Sequence, residues 1–200
     1  GPRFVLQTLR DQIRRYVYPI HRLDRATSGA LAFALSPDHA REAQQAMQQG
    51  QFEKHYLALV RGTPRERFVI DEPMRNDGGE EPVEAITEVQ RLFVTEHGFS
   101  LVRALPRTGR RHQIRRHLRR HHHELGGDVN HGKGPINRRL RAEFGLHRLA
   151  LHALALHLPH PQSGAPLRLQ ARLPEDLRAP LRRMGVPEAL LRSLEMPGSG

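Results

Sequence analysis

Two neighbouring segments with strand-like composition constrain the fold of this 200-residue chain most strongly. Residues 85–93 and 99–105 are rich in apolar, β-branched and aromatic side chains, which favour extended strands. A short turn that contains Gly98 separates them, so the two segments are predicted to pair as antiparallel strands. A chain that contains this pair must build a sheet and bury one of its faces.

The remaining pattern alternates between strands and helices. Further strands are predicted at 29–35, 54–60, 149–158 and 167–173, and helices at 39–49, 112–121, 137–144 and, as one or two helices, within 174–194. An amphipathic segment at 4–15 precedes them, and 65–84 is predicted to be an exposed loop or hairpin. The fold class is therefore α+β, with a mixed, largely antiparallel central sheet and flanking helices. We expect one domain over residues 1–200, with 184–200 as a loosely attached tail.

The charge of the chain points to a polyanionic partner. Lysine and arginine total 32 against 21 acidic residues, a net charge of +11, and only Lys54 and Lys133 are lysines. Guanidinium groups bind phosphates in pairs and stack on bases, so nucleic acid is the first candidate partner. The arginine-rich proteome of an organism with a GC-rich genome would show the same bias. The chain has no cysteine and no apolar stretch of membrane-spanning length, so we expect neither disulfides nor membrane insertion.

The motif HRLDRATSG at residues 21–29 carries one acid, Asp24, between Arg22 and Arg25. Neighbouring guanidinium groups favour an ionised carboxylate, and an ionised carboxylate can act as a nucleophile. The alternative is a strand-to-turn junction in which Asp24 forms an ordinary surface ion pair.

Two later motifs contain further candidate site residues. In KHYLALVRG at 54–62, Tyr56 could stack on a base or exchange a proton, although a strand tyrosine is often an ordinary core residue. In RTGRRHQIRRHL at 107–118, arginines at the start of a helix could bind phosphate. Its alternative is a solvated basic helix face.

The histidines raise the question of a metal site. They include the run 121–123 and the spaced residues 147, 152, 157 and 160. No HExxH motif and no acid at ligand spacing accompany them, so no metal ligands are predicted.

Taken together and in this order, the three motifs resemble the RluA-type family of pseudouridine synthases. The later segments Gly127-Asp128, His131-Gly132 and HRLALHA at 147–153 also match the family, and the resemblance covers residues 18–173. Within the family, the basic stretch at 137–146 and the lead-in at 4–12 are most similar to the branch that modifies uridine-65 of tRNA. The family usually carries an N-terminal segment before this region, and we expect this chain to lack it.

The resemblance implies an isomerase that converts a uridine in RNA to pseudouridine, with tRNA favoured over rRNA. Asp24 would be the catalytic aspartate, attacking C1′ of the ribose or removing the C2′ proton. Arg22 would fill the space that the flipped nucleotide vacates or hold that nucleotide. Tyr56 would stack on the uracil and assist removal of the C5 proton, and Arg115 would pair with Asp24. These roles need no metal and no organic cofactor.

Further basic side chains are expected to contact the RNA, and they are Arg107, Arg110, Arg111, His112, Arg116, Arg119, Lys133 and Arg148. We expect a cytoplasmic monomer that needs no protein partner. A non-catalytic RNA-binding protein on the same fold is the alternative from another functional class. An aspartate-based hydrolase is more remote, because neither a metal set nor a second catalytic acid is evident.

Overall fold

A computed structural model describes residues 5–75, 78–79 and 81–196. The helices in these residues are α1 Val5–Ile13, α2 Pro37–Gln48, α3 Gln113–Arg120, α4 Gly134–Phe144, α5 Glu175–Arg183 and α6 Glu188–Leu194. The strands are β1 Tyr18–Pro19, β2 Ser28–Gly29, β3 Phe33–Ala34, β4 Glu53–Arg61, β5 Arg67–Asp71, β6 Met74–Arg75, β7 Pro82–Val83, β8 Ile86–Val94, β9 Phe99–Pro106, β10 Leu151–Pro159 and β11 Pro166–Gln170.

A seven-stranded sheet organises the chain, in the order β11-β10-β4-β9-β8-β5 with β2 added beside β10. The β2–β10 pairing is parallel and the other pairings are antiparallel, which confirms the predicted mixed, largely antiparallel sheet. The predicted hairpin of β8 and β9 is also present. Gly98 in its turn has a φ of +81°, a conformation that glycine adopts without a steric penalty.

The central strand β4 separates two layers of core. Tyr56, Ala58 and Val60 belong to a cluster on one face, which includes Ile114 of α3. Their odd-numbered neighbours, including Leu57, belong to a second cluster with side chains of α4, α5 and α6. Successive strand residues point to opposite faces of a sheet, so this one strand supplies both cores. The face that carries Tyr56 also carries the site described below.

Two predicted elements differ from the structure. The apolar run 29–35 forms the short strands β2 and β3 instead of one strand, because Gly29 turns the chain there with a φ of +121°. The segment 65–84 contains a hairpin pairing of β6 with β7, as one of the two predicted alternatives, but it is not wholly exposed. It contains β5 at the edge of the main sheet, and Ile70 and Met74 are 1% and 0% exposed.

The expectation of a loose tail from residue 184 is wrong over residues 184–196. Met184, Leu191 and Leu194 are at most 3% exposed and belong to the core beneath α4 and α5. Burying side chains of this size stabilises the folded state by about 1.5–3 kcal/mol each. The C-terminal helix is therefore part of the core, and residues 197–200 lie outside the described residues. No helix in the described ranges has the length and apolar character needed to cross a membrane.

Candidate active site

A cavity of about 530 Å³ opens on the face of the sheet that carries Tyr56. It lies between the segment after β1, strand β4, the loop after β9 and the start of α3. Its polar and charged lining side chains are His21, Arg22, Asp24, Thr27, Lys54, Tyr56, Thr108, Arg110, Arg111, His112, Gln113 and Arg115. Asp24 is the one carboxylate among the described residues that line it, and the surrounding cations make the cavity strongly basic.

Asp24 lies in a turn where the backbone N–H of Thr27 donates to the Asp24 carbonyl at 2.8 Å. Its side chain is 19% exposed, and its Oδ2 lies 3.7 Å from Nη1 of Arg115. This distance is an ion-pair contact but is longer than a hydrogen bond. The carboxylate is therefore accessible from the cavity and faces a fixed positive charge.

Arg115 is held mainly by a different acid, Asp128. Its Nε and Nη2 donate to the two Asp128 carboxylate oxygens at 2.7 and 2.8 Å, which leaves Nη1 directed at Asp24. The expected pair with Asp24 is thus the weaker of two contacts. It was not predicted from the sequence that Asp128 holds the guanidinium in place. The available signal was that Asp128 is the single acid of the glycine-rich segment 126–136.

Asp128 is 1% exposed and fully hydrogen-bonded. Besides Arg115, the backbone N–H groups of Asn130 and His131 donate to its Oδ1 at 3.0 and 2.9 Å. Burial alone would raise the pKa of Asp128, but the hydrogen bonds from Arg115 and the backbone outweigh it and lower the pKa below its usual value. Asp128 therefore stays ionised and fixes the orientation of Arg115.

Tyr56 is 8% exposed and lines the cavity together with Asp24. Burial, and then the negative charge of Asp24, raise the pKa of Tyr56 to about 12. The phenol is consequently protonated at neutral pH. It offers a ring surface and an O–H donor to a bound base.

Gln113 fixes the loop between β9 and α3. Its Oε1 accepts from the Thr108 hydroxyl at 2.7 Å and from the Arg110 backbone N–H at 3.0 Å, while its Nε2 donates to the Ile86 carbonyl at 2.8 Å and to Thr87 Oγ1 at 3.0 Å. Every polar group of this buried amide is used on the sheet or the loop. Gln113 is therefore a positioning residue for the motif at 107–118.

Comparisons with known proteins agree with this geometry. A family model described as RNA pseudouridylate synthase matches residues 2–120. The chain belongs to the RNA pseudouridylate synthase family. Similar relatives include proteins named tRNA pseudouridine synthase C from Vibrio cholerae (39% identical, over 94% of this chain and 85% of the relative) and from Haemophilus ducreyi (40% identical, over 86% and 79%).

Two solved human structures share the fold of this chain. RNA Pseudouridylate Synthase Domain Containing 1 aligns with a TM-score of 0.71 at 28% identity, over 87% of this chain and 76% of that chain. RNA Pseudouridylate Synthase Domain Containing 4 aligns with a TM-score of 0.77 over 92% and 81%. At 24% identity, the second likeness concerns the fold alone.

Several of the residues predicted to contact RNA line the cavity of this synthase. They are Arg22, Arg110, Arg111 and His112. His112 has a left-handed backbone with a φ of +53°, and its Nδ1 lies 3.0 Å from Nε2 of His131. Burial lowers the pKa of both histidines, so the pair favours neutral rings. Contact of these four residues with RNA stays a prediction.

Other predicted RNA contacts are occupied within the protein. Arg107 donates to Glu88 at 2.7 Å and to Glu53 at 3.0 Å, and it does not line the cavity. Arg116 donates from Nη1 to the Arg75 carbonyl at 3.0 Å. These side chains tie the loop after β9 and helix α3 to neighbouring elements.

The last three predicted basic residues differ in their surroundings. Lys133 lies 3.3 Å from Glu124, whereas Arg119 is exposed on α3. Arg148 donates to Asp176 at 2.9 Å and to the Ser28 hydroxyl at 2.6 Å.

Ser28 links the HRLDRATSG motif to strand β10. Its hydroxyl lies 2.8 Å from Nδ1 of His152, whose Nε2 is 3.3 Å from the Ala171 carbonyl. Because Nε2 donates to that carbonyl, Nδ1 accepts the Ser28 proton. Together with Arg148, this network anchors the segment that carries Asp24.

One group of side chains has the composition of a metal site. Glu53, His55 and His157 offer ligand atoms within 4.8 Å of one another, on the face of the sheet opposite the cavity. Arg107 already pairs with Glu53, and Arg103 lines the same small depression. Positive charge at this distance opposes a divalent cation. We therefore interpret the group as a structural ion-pair cluster.

Proposed function

We propose that this chain is a tRNA pseudouridine synthase in which Asp24 is the catalytic residue. One observation carries the proposal. A basic cavity within the range of small-ligand pockets contains a single carboxylate among its described lining residues, and a buried arginine faces that carboxylate. The surrounding cations suit a phosphate-bearing substrate. A hydrolase that needs two catalytic acids would have no second acid here.

The isomerisation can be written on this geometry. The target uridine leaves its stack and enters the cavity, because its sugar cannot otherwise reach Asp24. The C1′–N1 bond breaks, the uracil turns, and a C1′–C5 bond forms. The proton on C5 is lost and N1 gains one, so substrate and product have the same composition. Asp24 starts the reaction at C1′ or at the C2′ proton.

The surrounding side chains have separate tasks in this proposal. Arg115 keeps Asp24 ionised and oriented. Asp128 accepts two hydrogen bonds from Arg115 and so holds the guanidinium in place. Tyr56 presents its ring and hydroxyl to the uracil. Arg22, which is exposed at the mouth of the cavity, fills the space that the flipped nucleotide leaves.

The relatives named tRNA pseudouridine synthase C support tRNA as the substrate. We place the target in the region where the acceptor stem meets the T arm, at uridine-65, and rRNA is the alternative substrate. We further propose that the protein acts in the cytoplasm as a monomer without a protein partner. Light scattering of the protein–RNA complex tests the monomer directly, since a dimer would double the protein mass.

The decisive experiment maps new pseudouridines by chemical adduct sequencing after incubation with unmodified bulk tRNA and rRNA. Wild type is compared with Asp24→Asn and with the control Asp38→Asn, an exposed acid that pairs with Arg41. We expect new sites in tRNA for wild type and Asp38→Asn, and none for Asp24→Asn, which still folds and binds RNA. Turnover by Asp24→Asn would refute the assignment of Asp24. Sites only in rRNA would refute the tRNA assignment.

A wild-type protein that binds RNA but forms no pseudouridine in either pool would favour the non-catalytic alternative. Tritium release from C5-labelled uridine gives an independent readout of turnover, because the C5 proton leaves in every productive cycle.

A further inference from the structure

The Lys54 ammonium is a cation in the active-site cavity that the proposed mechanism does not use. It projects from β4 on the same face as Tyr56, two residues along the strand, and it lines the cavity with Asp24. Among the residues that the structure describes, no hydrogen bond or ion pair is found for the Lys54 ammonium. Its side chain is half-buried. A desolvated ammonium without a partner is unfavourable unless a ligand supplies the missing charge.

The groups around Lys54 offer it no negative charge. Gly109 of the loop after β9 is uncharged, and a Cβ at this position would lie 3.7 Å from the Lys54 Nζ. His21 is neutral, because burial and then the charge of Lys54 lower the pKa of its ring to about 4. Asp24, the carboxylate of the cavity, faces Arg115. Burial also lowers the pKa of Lys54 itself, which is the direction expected for a cation without compensation.

The missing partner is an anion that arrives with the substrate. The uracil and ribose of a uridine are uncharged before the reaction, whereas each phosphodiester carries one full negative charge. Only a full charge compensates a desolvated ammonium, so a phosphate suits this position better than a base carbonyl.

We propose that the Lys54 ammonium binds a phosphodiester that flanks the flipped uridine and so positions the nucleotide over Asp24. This inference rests on the proposed function and adds a substrate-binding residue to it. The contact exists before and during bond cleavage, so its loss should raise KM more than it lowers kcat.

A double-mutant cycle between protein and RNA tests the contact. The substrate is a synthetic hairpin that contains the mapped uridine, with its 5′ or its 3′ phosphodiester replaced by an uncharged methylphosphonate. The proteins are wild type, Lys54→Met, Lys54→Arg and Lys133→Met. Lys133 is the one other lysine of the chain and lies outside the cavity, so its variant removes an equal charge elsewhere. Thermal unfolding of each variant reports on the fold.

On the unmodified hairpin, we expect Lys54→Met to lower kcat/KM roughly 10- to 100-fold, mainly through KM, and Lys54→Arg to restore part of it. With one of the two methylphosphonates, wild type and Lys54→Met should agree within about twofold, because neither then has the charge pair. Lys133→Met should show the same ratio to wild type on all three hairpins.

Equal effects of Lys54→Met on all three hairpins would overturn the phosphate contact. A Lys54→Met protein with a lower Tm and a lower kcat but an unchanged KM would also overturn it, in favour of a structural role. If the wild-type protein forms no pseudouridine in the hairpin with intact phosphodiesters or in the RNA pools, the proposed function is refuted, and this inference with it.

Discussion

Replacing Asp128 by asparagine isolates the electrostatic support of the active site. The side chain keeps its size but loses its charge, and the buried guanidinium of Arg115 then has Asp24, 3.7 Å away, as its remaining carboxylate partner. The Asp128 carboxylate accepts four hydrogen bonds, two from Arg115 and two from backbone N–H groups. One amide oxygen cannot replace both carboxylate oxygens, and the new NH₂ group faces donors.

Breaking a buried ion pair by removing one partner costs about 3–5 kcal/mol. Because asparagine keeps one acceptor oxygen, we expect a loss near the lower end, about 3 kcal/mol of the free energy of unfolding. For a chain of this length that corresponds to a decrease in Tm of about 6–12 °C. Urea unfolding followed by far-UV circular dichroism measures the loss. Asp24→Asn is the matched comparison, and we expect it to change stability by about 1 kcal/mol or less, since Asp24 is partly exposed.

The same comparison has a pH signature. In the folded protein the pKa of Asp128 lies below its ordinary value of 3.8. Its contribution to stability is therefore complete above that value and disappears as the pH falls through the folded-state pKa. The difference between wild type and Asp128→Asn should be constant from pH 6 to 7 and should shrink below about pH 4. An Asp128→Asn protein as stable as wild type at pH 7, or Asp24→Asn equally destabilised, would refute this account.

Three further predictions concern acid stability, a close backbone approach and salt. His21 accepts a hydrogen bond from the Ala32 N–H at 3.1 Å and has its pKa lowered to about 4, so wild type should lose stability as the pH falls from 6.5 to 4. His21→Gln should reduce that slope by up to about 1.4 kcal/mol per pH unit in urea titrations; an unchanged slope would contradict the burial of a neutral ring. Gly29→Ala should abolish the cooperative thermal transition, because its Cβ would lie 2.2 Å from the Ala153 carbonyl oxygen. Gly98→Ala, with no atom within 4 Å, should cost only about 1–2 kcal/mol, and similar losses for the two variants would be evidence against the steric explanation. RNA affinity measured by fluorescence anisotropy should fall at least about tenfold between 50 and 200 mM salt, and a flat dependence would exclude several phosphate contacts.

Much of the fold could be predicted because its signals are local. The short apolar run YLALV in β4 and the glycine turn between β8 and β9 are signals that lie within the segments themselves. The predicted helix 39–49 is present as α2, which begins where the Ser36 hydroxyl accepts a hydrogen bond from the His39 N–H at 3.2 Å. The tail was mispredicted because its burial depends on packing against distant elements, which the sequence of a short helix does not reveal.

The candidate site was likewise predictable in part from the sequence. The family resemblance carried by three motifs in one order implied that Asp24, Tyr56 and Arg115 belong together, since the ordered set is specific even when each motif is weak. Which charge pairs with which was decided by the tertiary structure. Asp128 takes the two strong hydrogen bonds of Arg115 because the loop after α3 folds back beneath the helix.

The basic residues make the distinction clearest. The sequence by itself determined that arginines dominate the chain and that a polyanion is its natural partner. Only the tertiary structure decided that Arg107 is held by two glutamates while Lys54 faces the cavity without a partner among the described residues. The physical reason is the separation along the chain of the residues that interact. Strand and helix patterns depend on neighbours in the chain, whereas an ion pair depends on distances of 3–4 Å between segments that only folding brings together.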